Sequence, residues 1–286
     1  MFKHYNQEIG VTPLKFNIYE YAEDMSNSEY HSREEISSSF IKNVSKHSVG
    51  RARVPLDTSG ALGKALIMGD AFHEYMELDA LSDRFTIKPN SINLSTTKGK
   101  EWKASIDPSQ LILTESEHAD IRGMYDSASK NSFVKKMKQT EESCKIAGTE
   151  FHSRDEWSFF ADGDDEYTRG LTFRIRPDRH ISIEDEVVWI VDWKSTNDLK
   201  KLIRWDFIDL GYDQQAVFYC DFLGIDPSRF VFVCVEKKSP YSCRPIFLSQ
   251  ETIISARIKL IKTIDRIRKA KEGGSNDIDL PSEITI

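Results

Sequence analysis

Two hydrophobic rhythms alternate along the chain, and their order predicts its elements. Leu171–Arg176 alternates apolar and polar residues, as a half-buried strand does, whereas Val187–Val191 is an unbroken β-branched and aromatic run, as in a central strand buried on both faces. The acidic segment Glu184–Glu186 reads as the turn between them. Arg229–Glu236 is a further buried strand, with Ser242–Leu248 as its antiparallel partner, and shorter strands are expected near Leu14–Tyr21, Arg84–Ile87 and within Thr149–Phe160. A helical period governs Gly60–Leu81, Leu199–Leu223 and Glu251–Glu272, the last with Ile253, Ile254, Ile258, Ile261, Ile264 and Ile267 inward. Thr114–Glu117 is a capping box that opens a helix to about Ser129, followed by a shorter helix over Ser132–Gln139. Ser37–Ser39 caps a short helix through Val44. Strands and helices in this order predict an α/β fold with a mixed central sheet flanked by helices.

The chain has no internal repeat and no low-complexity linker. Residues 1–24 read as an N-terminal arm, 25–272 as one domain, and 273–286, opening on Gly273-Gly274-Ser275, as a tail. With 39% hydrophobic and 30% charged residues over 286 positions, the chain can bury a sizeable core. No apolar run is long enough to span a membrane, and the N-terminus lacks the apolar stretch of a secretory signal, so a cytoplasmic protein is expected. The formal charge of −7 argues against general coating of nucleic acid but leaves room for a local basic channel. Positive charge gathers near the centre, at Arg169, Arg174, Arg176, Arg179, Lys194, Lys200, Lys201 and Arg204; the plainer alternative is that some of these neutralise the carboxylates around 155–166 and 184–186. Cys144, Cys220, Cys234 and Cys243 form no C-x-x-C pair, and their spacing fits neither a zinc site nor an iron–sulfur cluster.

The chemistry concentrates in 173–196. Two adjacent strands would deliver Asp178, Asp192 and Lys194 to one end of a sheet. Because side chains alternate along a strand, Asp192 and Lys194 share a face and Trp193 points away. Two carboxylates and the Trp193 carbonyl suit Mg²⁺, a hard ion that prefers oxygen ligands. Lys194 would then orient or deprotonate an attacking water and offset charge on a phosphate, and the arrangement fits metal-assisted phosphodiester cleavage. Asp-x-Lys by itself is a weak pattern, strengthened here by the buried run in front of it. His73 lies within an apolar helical stripe, where a lone histidine is ordinarily structural. Gln215 and Tyr219, four apart, share a helix face, and packing alone would account for Tyr219 more naturally than for Gln215. The acidic run Ala161–Glu166 lacks the spacing of a calcium loop.

These residues also carry a resemblance. Asp178…Asp192-Trp193-Lys194, with Pro177 before the first Asp, resembles the PD-(D/E)XK nuclease core. Met25–His31 (MSNSEYH), Gly69–His73 (GDAFH), Arg176–Asp178 (RPD), Asp192–Thr196 (DWKST) and Tyr212–Tyr219 (YDQQAVFY) are similar, in order and spacing, to the exonuclease VIII (RecE-type) phage and prophage recombination nucleases over roughly residues 25–270. The resemblance implies a metal-dependent exonuclease on linear double-stranded DNA, running 5′ to 3′ and leaving single strands for a single-strand annealing recombinase. It implies Asp178, Asp192 and His73 as ligands of Mg²⁺ or Mn²⁺, with Lys194 activating water. Gln215 and Tyr219 would contact DNA near the scissile phosphate, and the assembly would be a homo-oligomer, a toroidal tetramer. A branched- or single-strand-specific endonuclease on the same core, or a catalytically silent DNA-binding accessory protein, are the alternatives.

Overall fold

The computed structural model describes residues 11–55, 57 and 60–273, and most of the expected tail, 274–286, lies outside them. The mixed α/β architecture expected from the hydrophobic pattern is the one found. Among the described residues eleven strands form three sheets: β1 (Phe16–Ala22), β2 (Ile36–Ser37), β3 (Phe85–Lys88), β4 (Leu111–Thr114), β5 (Phe151–Asp155), β6 (Ser158–Gly163), β7 (Thr172–Ile175), β8 (Arg179–Ile183), β9 (Glu186–Thr196), β10 (Phe230–Glu236) and β11 (Cys243–Ile246). The principal sheet has the order β11-β10-β9-β8-β5; β1-β6-β7-β2 form a second, and β3 and β4 pair in a third. The principal helices are α1 (Ser38–Lys46), α2 (Gly60–Leu78), α3 (Glu115–Ser129), α4 (Ser132–Ala147), α5 (Tyr212–Phe222) and α6 (Gln250–Gly273).

The principal sheet is mixed because β9 and β10 run parallel, joined by a helical crossover, while its other neighbours are antiparallel. Both of its faces are covered, which explains why β9 and β10 read as nearly continuous apolar runs. On one face Ile190, Phe230, Phe232 and Cys234 pack with α5 and α6. On the other, Ile181, Val191, Trp193, Val231, Val233 and Val235 pack with Phe72 and Met76 of α2, Met124 and Ala128 of α3, and Phe133, Val134 and Met137 of α4. Two-residue alternation in β9 therefore sends Asp192 and Lys194 to the α5 face and Trp193 to the α2 face.

One strand pairing differs from expectation. The alternating segment before Asp178 is β7, and it belongs to the second sheet, between β6 and β2. The partner of β9 is instead β8, with Arg179 opposite Val191 and the turn at Glu184–Asp185. Pro177 lies between β7 and β8, and a residue with no N–H ends a ladder. The turn lies where the acidic segment predicts it, while the strand beside β9 is one segment further along. Asp178 still arrives beside Asp192.

Residues 11–24, expected as part of an arm, contribute β1 as an edge strand paired with β6. Phe16 packs against Phe173 and Phe222 with ring centroids 5.1 Å apart in each case. Beneath it Asp221 and Arg257 form an ion pair whose side chains are 0% and 1% exposed, and Asp221 also accepts the Leu14 N–H at 3.0 Å. The expected Leu199–Leu223 helix is interrupted by a π turn at Leu202–Asp206 and by Gly211, whose φ of 70° falls in the left-handed region that suits glycine. Residues 97–104 form a short helix capped by the Thr96 hydroxyl. No helix among the described residues is long and apolar enough to cross a membrane.

Candidate active site

Four elements meet at the end of the β8–β9 pair. Asp178 stands at the entry to β8, and its Oδ2 accepts the Trp193 N–H at 2.7 Å, continuing the ladder with a side chain where Pro177 has ended β7. Asp192 is 1% exposed, one carboxylate oxygen ion-paired with the Lys194 ammonium and the other accepting Gln215 Nε2–H from α5 at 2.6 Å. His73 comes from α2 on the opposite side of the sheet. Phe72 beside it is sunk in the core, so the helix is held rigidly and His73 is carried to the sheet's end. There its Nε2 lies 2.7 Å from the Trp193 carbonyl oxygen and its Nδ1 lies 3.6 Å from Asp178 Oδ2. The structure thus brings His73, Asp178, Asp192, the Trp193 carbonyl, Lys194 and Gln215 into one cluster.

Its electrostatics are those of crowded, poorly solvated carboxylates. Burial, and next the charge of Asp192, push the Asp178 carboxyl up, with His73 and Lys194 acting against them. Burial works against the Lys194 ammonium, but the charges of Asp192 and Asp178 outweigh it and hold its pKa above the ordinary lysine range. Without a bound ion, Lys194 is therefore held as a cation.

Tyr219 is placed differently from Gln215. It is 6% exposed, and its hydroxyl donates to the Arg176 carbonyl at 3.3 Å, so it packs beneath the Arg176–Asp178 turn instead of facing an opening. Arg176 lies over the Tyr30 ring at 4.2 Å and donates to Asn27 Oδ1 and the Met25 carbonyl, each at 2.7 Å, which ties the Met25–His31 stretch to the same turn. Of the other central cations, Arg179 bonds Asp155 at 2.9 Å and Lys201 pairs with Asp206 at 3.3 Å. The plainer reading of the basic cluster, neutralisation of the carboxylates around 155–166, thus holds for Arg179, whereas Lys201 pairs outside those segments.

Two further polar residues border the site. Lys42, on α1, donates to Gln215 Oε1 at 2.9 Å, and burial, followed by the charge of Lys194, pulls its pKa down to about 8. Glu156 sits at the β5–β6 junction with φ of 51°, its N–H on the Asp178 carbonyl at 3.2 Å and its carboxylate 3.9 Å from Arg176. Burial, then Asp178, raises its pKa. A left-handed non-glycine residue beside a candidate active site is a recognised mark of functional strain. Away from this centre, at the other end of the β8–β9 hairpin, Glu150, His152 and Asp185 also converge, at the surface.

A family profile described as a PDDEXK-like domain of unknown function (DUF3799) matches residues 37–279, most of the chain. The chain belongs to this PDDEXK-like family. Its fold is accordingly that of the PD-(D/E)XK nucleases, and the match spans every residue of the cluster just described. No curated protein matches this PDDEXK-like chain. Among solved structures, that of an exonuclease candidate from Eubacterium rectale superposes with a TM-score of 0.49 and 16% identity, over 91% of this chain and 92% of that one.

The donor set of this PDDEXK-like cluster fits a divalent cation. Two carboxylates, a backbone carbonyl and an imidazole line the cluster, and the charge of Asp192 already bears on Asp178. A divalent ion would offset the burial and the Asp192 charge that together raise the Asp178 pKa. Oxygen donors alone suit Mg²⁺, and the imidazole of His73 adds tolerance for Mn²⁺.

Proposed function

We propose that the chain is a Mg²⁺- or Mn²⁺-dependent exodeoxyribonuclease of the exonuclease VIII (RecE-type) kind, hydrolysing linear double-stranded DNA 5′ to 3′ to expose single strands for recombination. The observation that carries the reading is the convergence of His73, Asp178, Asp192, the Trp193 carbonyl and Lys194 at one sheet end. Asp178, Asp192, the Trp193 carbonyl and His73 would hold the metal, which when bound polarises a phosphoryl oxygen and makes water a competent nucleophile. The protein's own groups do the rest. Protonated Lys194 donates to the water or to a non-bridging phosphate oxygen and offsets the charge that develops there. Gln215 restrains Asp192, and Tyr219 supports the turn that presents Asp178. The π-helical segment before α5 and the short turn that leads into it carry Arg204 and Lys200, which have no carboxylate partner among the described residues and are free to meet a phosphate backbone. A toroidal homotetramer handing its product to a single-strand annealing recombinase completes the proposal.

The test is digestion of linear and closed-circular duplex with Mg²⁺, Mn²⁺ or EDTA, alongside Lys194→Ala. Metal-dependent loss of the linear form alone, abolished by Lys194→Ala, is the expected result. Cutting of the circle would reassign the activity to an endonuclease. DNA binding with no cleavage under any metal would leave only a binding protein.

A further inference from the structure

Lys42 is an anomaly for a solvated helix. It lies on α1, far in sequence from the motifs, yet it is half-buried with its ammonium beside two other charged groups of the site. The Tyr212 ring is flanked by both lysines, with Lys42 Nζ 5.5 Å and Lys194 Nζ 5.4 Å from its centroid. The backbone makes room for this. A Cβ on Gly211 would come within 2.9 Å of Lys42 Cγ, and Gly211 also carries the positive φ that starts α5. Burial and the nearby Lys194 charge both disfavour the Lys42 cation. An ion held against such a gradient needs a compensating role.

The contacts say what that role is. An ammonium can only donate, so the atom of Gln215 that it meets at 2.9 Å is Oε1. The other end of the same amide is then NH₂, which also can only donate, and it meets Asp192 Oδ2 at 2.6 Å. A cation on the amide oxygen polarises the amide and strengthens its N–H as a donor. The relay Lys42→Gln215→Asp192 thus secures one carboxylate oxygen and leaves the other to Lys194 and to whatever the site binds.

We propose that Lys42 is a positioning residue of this centre, locking the Gln215 amide so that Asp192 is presented in one orientation to the divalent cation. The inference rests on the metal-site reading, since Asp192 matters only as a ligand. It assigns to Gln215 an inward task, in addition to any contact with DNA.

The experiment compares wild type, Lys42→Met, Lys42→Arg, Gln215→Leu and the Lys42→Met/Gln215→Leu double variant, each checked for folding by circular dichroism. The first readout needs no metal: the Gln215 side-chain amide protons, followed by NMR in the ion-free protein, should be protected from exchange in wild type and lose that protection in Lys42→Met. The second is Mn²⁺ affinity by calorimetry, expected to fall about 10-fold in Lys42→Met, as for other residues that orient a metal ligand. Lys42→Arg should recover most of the loss, and adding Lys42→Met to Gln215→Leu should change affinity less than about 2-fold. Unaltered Gln215 amide protection in Lys42→Met, or losses that multiply in the double variant, would overturn the proposal. Absence of Mn²⁺ binding by wild type would instead refute the metal-site reading, and tight binding without DNA cleavage the nuclease reading, so the failures are distinguishable.

Discussion

Asp178→Asn is the most telling perturbation, because the site predicts opposite signs for it with and without metal. The Asp178 side chain is 16% exposed, and burial and the charge of Asp192 raise its pKa. A carboxylate with a raised folded pKa contributes stability that is full below its unfolded pKa and lost as pH rises through the folded value. At neutral pH the ion-free protein therefore carries that loss, about 1.4 kcal/mol for every tenfold change in the carboxyl's acidity on folding. Asparagine removes the charge and keeps an oxygen to accept the Trp193 N–H. The ion-free variant is therefore expected to be more stable than wild type, with a higher Tm. Wild type should recover its deficit on binding: Mn²⁺ at about a hundred times its Kd adds about 2.7 kcal/mol, raising Tm by about 5 °C. The variant, short of a ligand, should respond little. Scanning fluorimetry of both proteins in EDTA and in Mn²⁺ near neutral pH measures all four values. An ion-free variant several degrees less stable than wild type, with the Mn²⁺ response retained, would refute the reasoning and make Asp178 a structural hydrogen-bond acceptor.

Three other outcomes follow from the same structure. Lys194→Met should lower cleavage about 10²–10³-fold through loss of charge stabilisation, and should also destabilise the ion-free protein by about 3–5 kcal/mol because Asp192 is left buried without its cation; steady-state kinetics and urea unfolding check the two effects separately. Arg257→Met strands Asp221 in the core and should cost about 3–5 kcal/mol in urea unfolding, most of it recovered in the Arg257→Met/Asp221→Asn pair. His180 is 3% exposed, and burial, followed by the charge of Arg154, lowers its pKa from 6.5 to about 4. Its contribution is full above the unfolded value and is lost as pH falls toward the folded one, about 3 kcal/mol in all; His180→Phe should flatten that part of the acid unfolding profile.

Much of the site could be seen before the fold. The continuous run before Asp192 indicated a strand buried on both faces, and alternation then placed Asp192 and Lys194 together with Trp193 opposite. The stripe containing Phe72 indicated a packed helix, while the place of His73 at the site was implied only by the family resemblance. Each of these inferences used residues within one element, where periodicity and burial are coupled by backbone geometry.

Pairing between elements was another matter. Alternation in Leu171–Arg176 showed that one face is buried but not against which partner, and β7 joined the second sheet while Arg179–Ile183 took the place beside β9. Tyr219 showed a helical face but not that its hydroxyl would be used on the Arg176 carbonyl. Lys42 gave no signal at all: it is 173 residues from Gln215, and nothing in its neighbours distinguishes it from a solvated lysine. The sequence by itself determined the α/β class, the key strand and the identity of the acidic and basic groups, because local period reports which side chains are hidden. Only the tertiary structure decided which sheet each strand enters and which distant side chains complete the centre, because those depend on packing between segments whose separation along the chain leaves no periodic trace.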